Sequence, residues 1–374
     1  MRLNREREGV REGNRRAIYH CLLERYGEAL SRHDLCQATG LSHPTVGTIL
    51  QEFGQLGICK PVGHSTARGG RPAQLIDFNA AAACVLAVDL SEANPRAALF
   101  DLAGRVLARD SAPGVLAADK DELFSWLGGL LDSWSAANAI GRLAVALPGV
   151  VAARASTVRY APALGWHDYP LGAVLEEQFG YAVTLENDVN ALATAELRFG
   201  AVAGRSSALF LALTTGVGMG VALDGRIYRG SHSAAGEIGY GAVAQVDRLA
   251  NPSLNQPGQL EAHLQALRAQ VVVDGRVTLT TSAARRAFAE LATDLAVVLQ
   301  NAVCLLDPEL LVVSWPADVE HELVRELRER LSPPLPLEVV PVALGPEAAL
   351  RGVAHLAIDQ LEDSFTLLEL PVRC

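Results

Sequence analysis

From Cys84 to about residue 361, short apolar segments with strand-like spacing alternate with longer segments that have the periodicity of amphipathic helices. Three strands, a helix and another strand come first, and a second, similar set follows. Alternation of this kind is typical of α/β proteins, in which helices cover the faces of a sheet. The pattern therefore predicts an α/β body with two lobes. The chain has 374 residues, of which 50% are hydrophobic, so it can bury cores of that size.

The charge of the chain is unevenly divided. Residues 1–72 contain 11 Lys and Arg residues against 7 Asp and Glu residues, whereas the remainder contains 21 against 35. A basic head on an acidic body suggests that the head contacts a polyanion while the body does something else.

Two helices are predicted at the start of the basic head. Residues 14–30 place apolar side chains on one helical face, and a short second helix follows Ser31, which forms an imperfect capping box with Asp34. Ala38 should face inward on this second helix. Gly40 can then supply the positive φ that a tight turn needs.

A third helix follows this turn. Ser42 is its N-cap, and Pro44 lies in its first turn, where a missing N–H costs nothing. Its buried stripe should consist of Val46, Ile49, Leu50 and Phe53. His43, Thr45 and Thr48 are left outward. This is the order of a helix–turn–helix, in which the third helix reads the major groove.

Residues 56–61 and 74–78 are predicted to be two short strands around a glycine-rich basic turn, residues 63–72. Such a turn is a wing, suited to phosphate or minor-groove contact. The predicted DNA-binding residues are Ser42, His43, Thr45, Thr48, Arg68 and Arg71. The alternative is a small helical adaptor that binds no DNA, but the turn, the caps and the basic wing together favour DNA binding.

Two stretches of the head, LSRHDLCQATGLSHPTVGTILQEFGQLGI and RGGRPAQLIDFN, resemble the winged helix–turn–helix of ROK-family regulators (repressors, open reading frames and sugar kinases). Five stretches of the body also resemble ROK segments: ENDVNALATAE, TTGVGMG, LDGRIYRG, AAGEIG and LGPEAALRGVAHLA. The resemblance implies an α/β fold with an N-terminal winged helix–turn–helix and a two-lobed, actin-like ATPase (ribonuclease-H-like) body. We expect the head to span residues 1–79, lobe 1 residues 80–190 completed by the C-terminal helix 346–374, and lobe 2 residues 191–345.

Kinases of this family hold ATP with glycine loops, and the resemblance implies that two of three nucleotide-binding elements are damaged here. In residues 89–93 (DLSEA), Ser91 and Glu92 replace two glycines, and Glu92 would repel phosphate. Trp315 replaces a glycine in the turn that contacts the base and ribose. The second phosphate loop, residues 214–220, is nearly intact, although a hairpin turn that needs positive φ explains it at least as well.

The resemblance also implies a sugar site in the cleft between the lobes. The expected effector-binding residues are Asn187, Asp188, Glu237, Tyr240 and Glu261. The residue that matches Asp188 is the catalytic base of the kinases. Because Asp188 is also a good helix N-cap, we favour a cap with ligand contact and treat the base as vestigial. Tyr240 replaces a family histidine, which removes an imidazole acceptor.

No metal, disulfide or membrane segment is expected. Pro252, Leu254 and Gln259 stand where the family has zinc-binding cysteines. The six cysteines form no CxxC pair, which argues for reduced thiols in a cytoplasm. The longest apolar run, about nine residues, is too short for a membrane span of about 20.

The sequence thus predicts a DNA-binding transcriptional regulator, a repressor, with a catalytically degenerate sugar-kinase-like body and no cofactor. Its expected partners are double-stranded operator DNA, a sugar or sugar-derived effector, and further copies of itself in a homodimer or homotetramer. Two alternatives stay open. One is an ATP-dependent sugar kinase with a DNA-binding head, and the other is a DNA-binding protein that responds to no effector.

Overall fold

The computed structural model describes residues 2–66, 72–92, 94–115, 117–214, 216–241, 258–273, 276–315, 317–332, 334 and 336–368. In the head it contains three helices and three strands. They are α1 (Arg2–Glu24), β1 (Leu30–Ser31), α2 (Arg32–Thr39), α3 (His43–Gln55), β2 (Cys59–His64) and β3 (Gln74–Phe78). The strands form an antiparallel sheet in the order β1-β3-β2.

The predicted caps set the limits of the head helices. The Asp34 N–H donates to the Ser31 hydroxyl (3.2 Å) and the Ser31 N–H donates to the Asp34 carboxylate (2.8 Å), which completes the capping box of α2. Gly40 ends α2 at φ +71°. The Thr45 N–H donates to the hydroxyl of Ser42, the N-cap of α3. The buried residues of α3 are the predicted ones: Val46, Ile49, Leu50 and Phe53.

Three details of the head differ from the prediction. α1 begins at Arg2 and ends at Glu24, so it lies earlier in the chain than residues 14–30. Ala38 is exposed, because α2 is short and Leu35 already fills its inward face. The first wing strand is Cys59–His64 and not residues 56–61, because Leu56 still serves as the C-cap of α3.

Lobe 1 is built on a five-stranded sheet and a small three-stranded sheet. Its elements are β4 (Cys84–Asp89), β5 (Arg96–Asp101), β6 (Val106–Ser111), α4 (Lys120–Ser135), β7 (Ile140–Leu147), β8 (Val150–Ala152), β9 (Thr157–Ala161), β10 (Trp166–Tyr169), α5 (Leu171–Phe179) and β11 (Ala182–Asn187). The large sheet has the order β11-β7-β4-β5-β6. Because β4, β7 and β11 are parallel, their carboxyl ends, which carry Asp89 and Asn187, lie at the same edge.

Lobe 2 contains a second five-stranded sheet in the order β14-β13-β12-β17-β18. The elements of the remaining chain are α6 (Asp188–Phe199), β12 (Ala208–Leu213), β13 (Val217–Leu223), β14 (Arg226–Ile227), α7 (Gln259–Val271), β15 (Val272–Val273), β16 (Arg276–Val277), α8 (Ser282–Leu306), β17 (Leu310–Ser314), α9 (Ala317–Arg330), β18 (Glu338–Pro341) and α10 (Ala348–Leu367). β12 and β13 are antiparallel neighbours, as the sequence predicts for a hairpin.

α6 and α10 form the centre of the body. They pack against each other, α10 also covers β4, β7 and β11, and α6 covers β12 and β13. The two helices approach closely because position 352 is glycine: a Cβ there would lie 1.7 Å from the Ala191 carbonyl oxygen. α6 begins at Asp188, directly after β11, so the N-terminus of α6 lies at the carboxyl edge of the lobe 1 sheet.

A single buried apolar cluster extends from the head into both lobes. It includes Phe53 and Phe78 of the head, Phe100 of lobe 1, Phe210 of lobe 2 and Phe365 of α10. The head is therefore packed onto the body and not attached by a bare linker.

One described helix, α8, is long and apolar enough to cross a membrane by length and composition. Its apolar residues include Phe288, Leu295 and Leu299, which are buried in the core of lobe 2. The core helix of a soluble protein meets the same criteria, so this feature is weak evidence for a membrane span.

Candidate functional site

A cleft of about 300 Å³ lies between the carboxyl edge of the lobe 1 sheet and the β12–β13 hairpin of lobe 2. This volume is at the lower end of the range for small-molecule sites. The structure brings all five predicted effector residues to its wall: Asn187, Asp188, Glu237, Tyr240 and Glu261. These residues come from three separate parts of the chain.

Asn187, and not Asp188, is the N-cap of α6, so that prediction was wrong. Asn187 has extended backbone angles, and its side-chain oxygen accepts from the Asn190 N–H (2.9 Å). Its amide nitrogen donates to the Gly149 carbonyl (2.9 Å) and to Asp188 Oδ1 (3.1 Å). Asp188 is the first residue inside the helix, which leaves its carboxylate available to the cleft.

Asp188 is a buried carboxyl group with incomplete hydrogen bonding. Its Oδ1 accepts from the Val189 N–H (2.9 Å). Its Oδ2 is buried and accepts no hydrogen bond of normal geometry, although the Thr214 side chain lies beside it. Burial, together with the negative charge of Asp89, raises the pKa of Asp188 to about 7.

Two further carboxyl groups share the cleft. Burial, with the charges of Asp188 and Glu261, raises the pKa of Glu237 to about 7. Burial also raises the pKa of Glu261. A carboxyl group with a pKa near 7 can give or take a proton at neutral pH.

The sequence analysis missed Tyr160 of β9, which lines the cleft from lobe 1. Burial and the neighbouring Tyr160 raise the pKa of Tyr240, so the two phenols meet across the cleft. The Tyr160 residue is only 5% exposed, and its hydroxyl is hydrogen-bonded to that of Tyr240. Nothing in the local sequence marks this tyrosine, because β9 follows β8 without a recognisable motif.

The glycines of residues 214–220 are required by packing. Gly216, Gly218 and Gly220 are absent from the positive-φ glycines of the described chain, so the explanation by a positive-φ hairpin turn was wrong. A Cβ at Gly218 would lie 2.8 Å from the Val189 side chain, and one at Gly216 would lie 2.6 Å from Glu261 Oε1. These glycines let α6 and Glu261 approach the hairpin, whether or not phosphate binds.

An ion pair occupies the first predicted phosphate loop. The Arg96 guanidinium donates to the buried carboxylate of Asp89 (2.7 Å) and lies 3.3 Å from the Glu92 carboxylate. The Ser91 N–H also donates to Asp89 (3.0 Å). The Ser91 N–H and the Arg96 guanidinium are thus both bound to Asp89.

Trp315 occupies the turn after β17 that the kinases use for the nucleotide base and ribose. Its indole is stacked on Phe288 of α8, with ring centroids 5.7 Å apart and planes within 3° of parallel. Trp315 is only 4% exposed. A buried side chain therefore stands where the family resemblance implies an open glycine turn.

Across the part of the chain that the structure describes, no group of three or more His, Cys, Asp or Glu side chains is placed to hold a metal ion. Pro252 and Leu254, which replace family cysteines, lie outside the described residues.

On the head, Ser42, His43 and Thr48 are exposed and Thr45 is half-buried. The Ser42 and Thr45 hydroxyls lie 2.9 Å apart, and the Thr48 hydroxyl donates to the Pro44 carbonyl (3.1 Å). The His43 ring is stacked on His33 of α2, a neighbour that the sequence analysis missed. Arg68 and Arg71 lie outside the described residues.

The ROK family model matches residues 85–360, which is most of the chain. The chain belongs to the ROK family. A curated ROK relative, the xylose repressor of Caldicellulosiruptor bescii, is 23% identical over 330 residues that cover 80% of this chain and 83% of that protein. The DNA-binding transcriptional dual regulator NagC of Escherichia coli K12 is 27% identical over 62% of this chain and 57% of NagC.

Two solved ROK structures share the fold to different extents. A ROK family transcriptional regulator, a homologue of the Escherichia coli Mlc protein, superposes with a TM-score of 0.74 at 21% identity, over 96% of this chain and 99% of that chain. A ROK family glucokinase from Streptomyces griseus, in complex with glucose and AMPPNP, superposes with a TM-score of 0.60 at 22% identity, over 73% of this chain and 98% of that chain. The regulator thus matches more of this chain than the kinase does.

In this ROK protein α10 joins the head to the cleft. Its C-terminal half contacts α1 through an ion pair between Arg16 and Asp363 (2.8 Å) and through a contact between His20 Nε2 and the Glu362 carboxyl group (3.0 Å). Arg15 of α1 donates to the Thr366 carbonyl (3.3 Å) and forms an ion pair with Glu52 of α3 (2.8 Å). Because α10 also packs on α6, one chain of contacts runs from Asp188 to the third helix of the head.

Proposed function

We propose that this ROK protein is a sequence-specific DNA-binding transcriptional regulator, a repressor, whose body binds a sugar-class effector without phosphorylating it. The observation that carries the proposal is the exposed N-terminal turn of α3, on a three-helix head with a β2–β3 wing. This arrangement corresponds to a winged helix–turn–helix, in which such a helix enters the major groove.

The relatives support the regulatory role. The xylose repressor and NagC are regulators, and the solved transcriptional regulator aligns with nearly the whole chain. The head, residues 1–79, is the part that a regulator needs and a kinase does not. We place the protein in the cytoplasm as a homodimer or homotetramer, because a palindromic operator presents two half-sites to two heads.

A sugar kinase is the second candidate, because the cleft retains Asn187, Asp188 and Glu261 and the glucokinase shares the fold of the body. Two features oppose it. Arg96 pairs with Asp89 and Glu92 where phosphates would sit, and Trp315 fills the turn that contacts the base and ribose. We infer that ATP is not held productively and that Asp188 contacts the effector.

DNA binding is tested by selecting an operator from a random duplex library with the full chain and measuring affinity against salt. We expect a specific complex whose affinity falls steeply with salt, because phosphate contacts release counterions. His43→Ala and Thr48→Ala should change base preference, while Gln55→Ala, at the exposed far end of α3, should not. Arg68→Ala and Arg71→Ala should weaken binding to all sequences. The absence of any selected sequence would refute the proposal.

The kinase alternative is tested by incubating the protein with hexoses or N-acetylhexosamines and Mg-ATP. We expect no sugar phosphate above the level of an Asp188→Asn control. Turnover that this substitution abolishes would establish the kinase and overturn the regulatory reading of the cleft. A melting temperature that no sugar changes would instead favour a DNA-binding protein without an effector.

A further inference from the structure

Arg32, the first residue of α2, is an exposed cation without a partner among the described residues. It makes no ion pair or hydrogen bond with any of them. Asp34, the nearest acid in the chain, instead accepts from the backbone N–H and the hydroxyl of Ser31. Three other arginines of the head each pair with a carboxylate at 2.8 Å: Arg15, Arg16 and Arg25. The charge of Arg32 is therefore available to an anionic ligand.

The Arg32 guanidinium lies over Gly47 of α3. A Cβ at position 47 would lie 3.2 Å from Arg32 Nη1, 3.3 Å from Cζ and 3.6 Å from Nε. Because Cζ is about as close as the nitrogens, the planar group lies face-on over the glycine. The N–H groups of a guanidinium lie in its plane, so they point past α3 and remain free to donate.

This contact explains the glycine. Gly47 lies inside α3, where glycine is less favourable than alanine, and it is not among the glycines with positive φ. Its backbone therefore does not require glycine. What the missing side chain provides is the space in which the Arg32 guanidinium rests against α3.

The same flank of α3 makes a second contact with the first turn of α2. His43 precedes Gly47 by four residues, so the two lie on one side of the helix. His33, which follows Arg32, stacks on His43, with ring centroids 6.0 Å apart and planes 14° from parallel. The first turn of α2 thus runs along α3, and Arg32 lies at the edge of the exposed surface that carries Thr48.

We propose that Arg32 binds a phosphate of the DNA backbone at the rim of the major groove, and that Gly47 positions its guanidinium for this contact. The inference rests on the proposed function, because it takes α3 as the helix that enters the groove. In a helix–turn–helix the first helix of the pair crosses the backbone, and Arg32 begins that helix. The planar fork of a guanidinium matches two phosphate oxygens. α2 would then supply affinity and register, while α3 supplies base preference.

The phosphate contact is tested by fluorescence anisotropy of the full chain with two labelled duplexes, the selected operator and an unrelated sequence of equal length, at several salt concentrations. We expect Arg32→Gln to weaken binding to both duplexes about tenfold and to reduce the slope of log affinity against log salt by about 1, because one phosphate contact is lost. Arg25→Gln is the control. It removes the same charge from an arginine that is already paired with Glu28, and it should leave the slope unchanged.

The positioning role of the glycine is tested by Gly47→Ala, which keeps Arg32 but places a methyl group against its guanidinium. We expect affinity for both duplexes to fall several-fold. Gly54→Ala, in the same helix with nothing within 4 Å, is the control and should bind as wild type does. Neither variant should melt below wild type, because Arg32 is exposed and its flexible side chain can move away from the added methyl group.

The inference is overturned if Arg32→Gln binds DNA as Arg25→Gln does. It is also overturned if the loss is confined to the operator with an unchanged salt slope, since that result identifies a base contact. Wild-type affinity in Gly47→Ala would refute the role of the glycine. Each of these results leaves the DNA-binding proposal standing, whereas a wild-type chain that selects no operator refutes that proposal and this inference together.

Discussion

Desolvation sets the pKa values of the individual carboxyl groups of the cleft. Asp188 and Glu237 have pKa values of about 7 in the folded protein, well above the ordinary values of 3.8 and 4.5, because burial and neighbouring carboxylates disfavour their charged forms. These two residues come from different lobes. Their shifts therefore depend on the lobes meeting and would be absent in the unfolded chain.

This shift predicts a pH dependence of stability. Between about pH 4 and pH 7 the folded protein holds more protons on Asp188 and Glu237 than the unfolded chain does, so the free energy of unfolding falls as pH rises through this window. Across this pH window, we expect the free energy of unfolding of Glu237→Gln to fall by on the order of 2–3 kcal/mol less than that of wild type. Denaturant unfolding at several pH values measures the difference. The free energy of unfolding of Glu177→Gln, a control on the exposed surface of α5, should depend on pH as that of wild type does. The prediction is contradicted if the free energy of unfolding of Glu237→Gln falls with pH as steeply as that of wild type.

Arg96 compensates a buried charge in the segment 89–93, the first predicted phosphate loop. The Asp89 side chain is completely buried, and Arg96 is its cationic partner. We expect Arg96→Ala to lower the free energy of unfolding by about 3–5 kcal/mol, because removing one partner of a buried pair leaves the other charge uncompensated. Arg109→Ala is the control, since its ion pair with Glu347 is exposed, and it should change stability little. A small effect of Arg96→Ala in denaturant unfolding would show that Asp89 is neutral or solvated.

At the scale of elements, close helix packing holds the centre of the body. We expect Gly352→Ala to destabilise the protein by more than about 2 kcal/mol, because the added Cβ would lie 1.7 Å from the Ala191 backbone oxygen and α6 and α10 must separate. Gly129→Ala is the control: it lies exposed in α4 with nothing within 4 Å and should stabilise by about 0.5–1 kcal/mol. Thermal and denaturant unfolding of both variants distinguish packing from helix propensity. Equal effects would show that the interface between α6 and α10 tolerates a methyl group.

The glycine segment of β13 shows how one pattern can serve two purposes. Gly218 and Gly220 lie in a strand against α6, and their neighbours are Val189 and Ala193. This packing requires the glycines whether or not the cleft binds phosphate. The retention of these glycines is therefore no argument for phosphate binding.

At the scale of the whole molecule, contacts through α10 link the cleft to the head. An effector that prefers one arrangement of the lobes can shift the heads only by its differential affinity for that arrangement. We expect Arg15→Gln, which breaks the contacts of α1 with Glu52 and with the Thr366 carbonyl, to reduce the effector-induced change in operator affinity about threefold. Affinity for DNA without effector should change less than this coupling.

Fluorescence anisotropy of a labelled operator, titrated with and without effector, measures this coupling. Arg11→Gln, an exposed substitution on the same helix, is the control and should leave it unchanged. If Arg15→Gln weakens DNA binding and its response to effector in equal proportion, Arg15 only supports the folding of the head.

Local signals in the sequence were sufficient to predict most of the helices and strands and the cleft residues that lie in recognisable motifs. The caps at Ser31 and Ser42 and the buried stripe of α3 depend on neighbours within four residues, so they could be read from the sequence. The alternating body pattern and the ROK segments likewise led to Asn187, Asp188, Glu237, Tyr240 and Glu261.

Other features depend on residues that are distant in the chain. Tyr160 reaches the cleft from β9, Phe288 lies under Trp315, and α10 joins α1 to α6, although no local pattern announces these contacts. The N-cap of α6, Asn187, also has a distant partner. Its side-chain amide donates to the Gly149 carbonyl, which lies 38 positions away in the chain. Burial and charge compensation are properties of the packed molecule, and they arise only when both lobes and the head are in place.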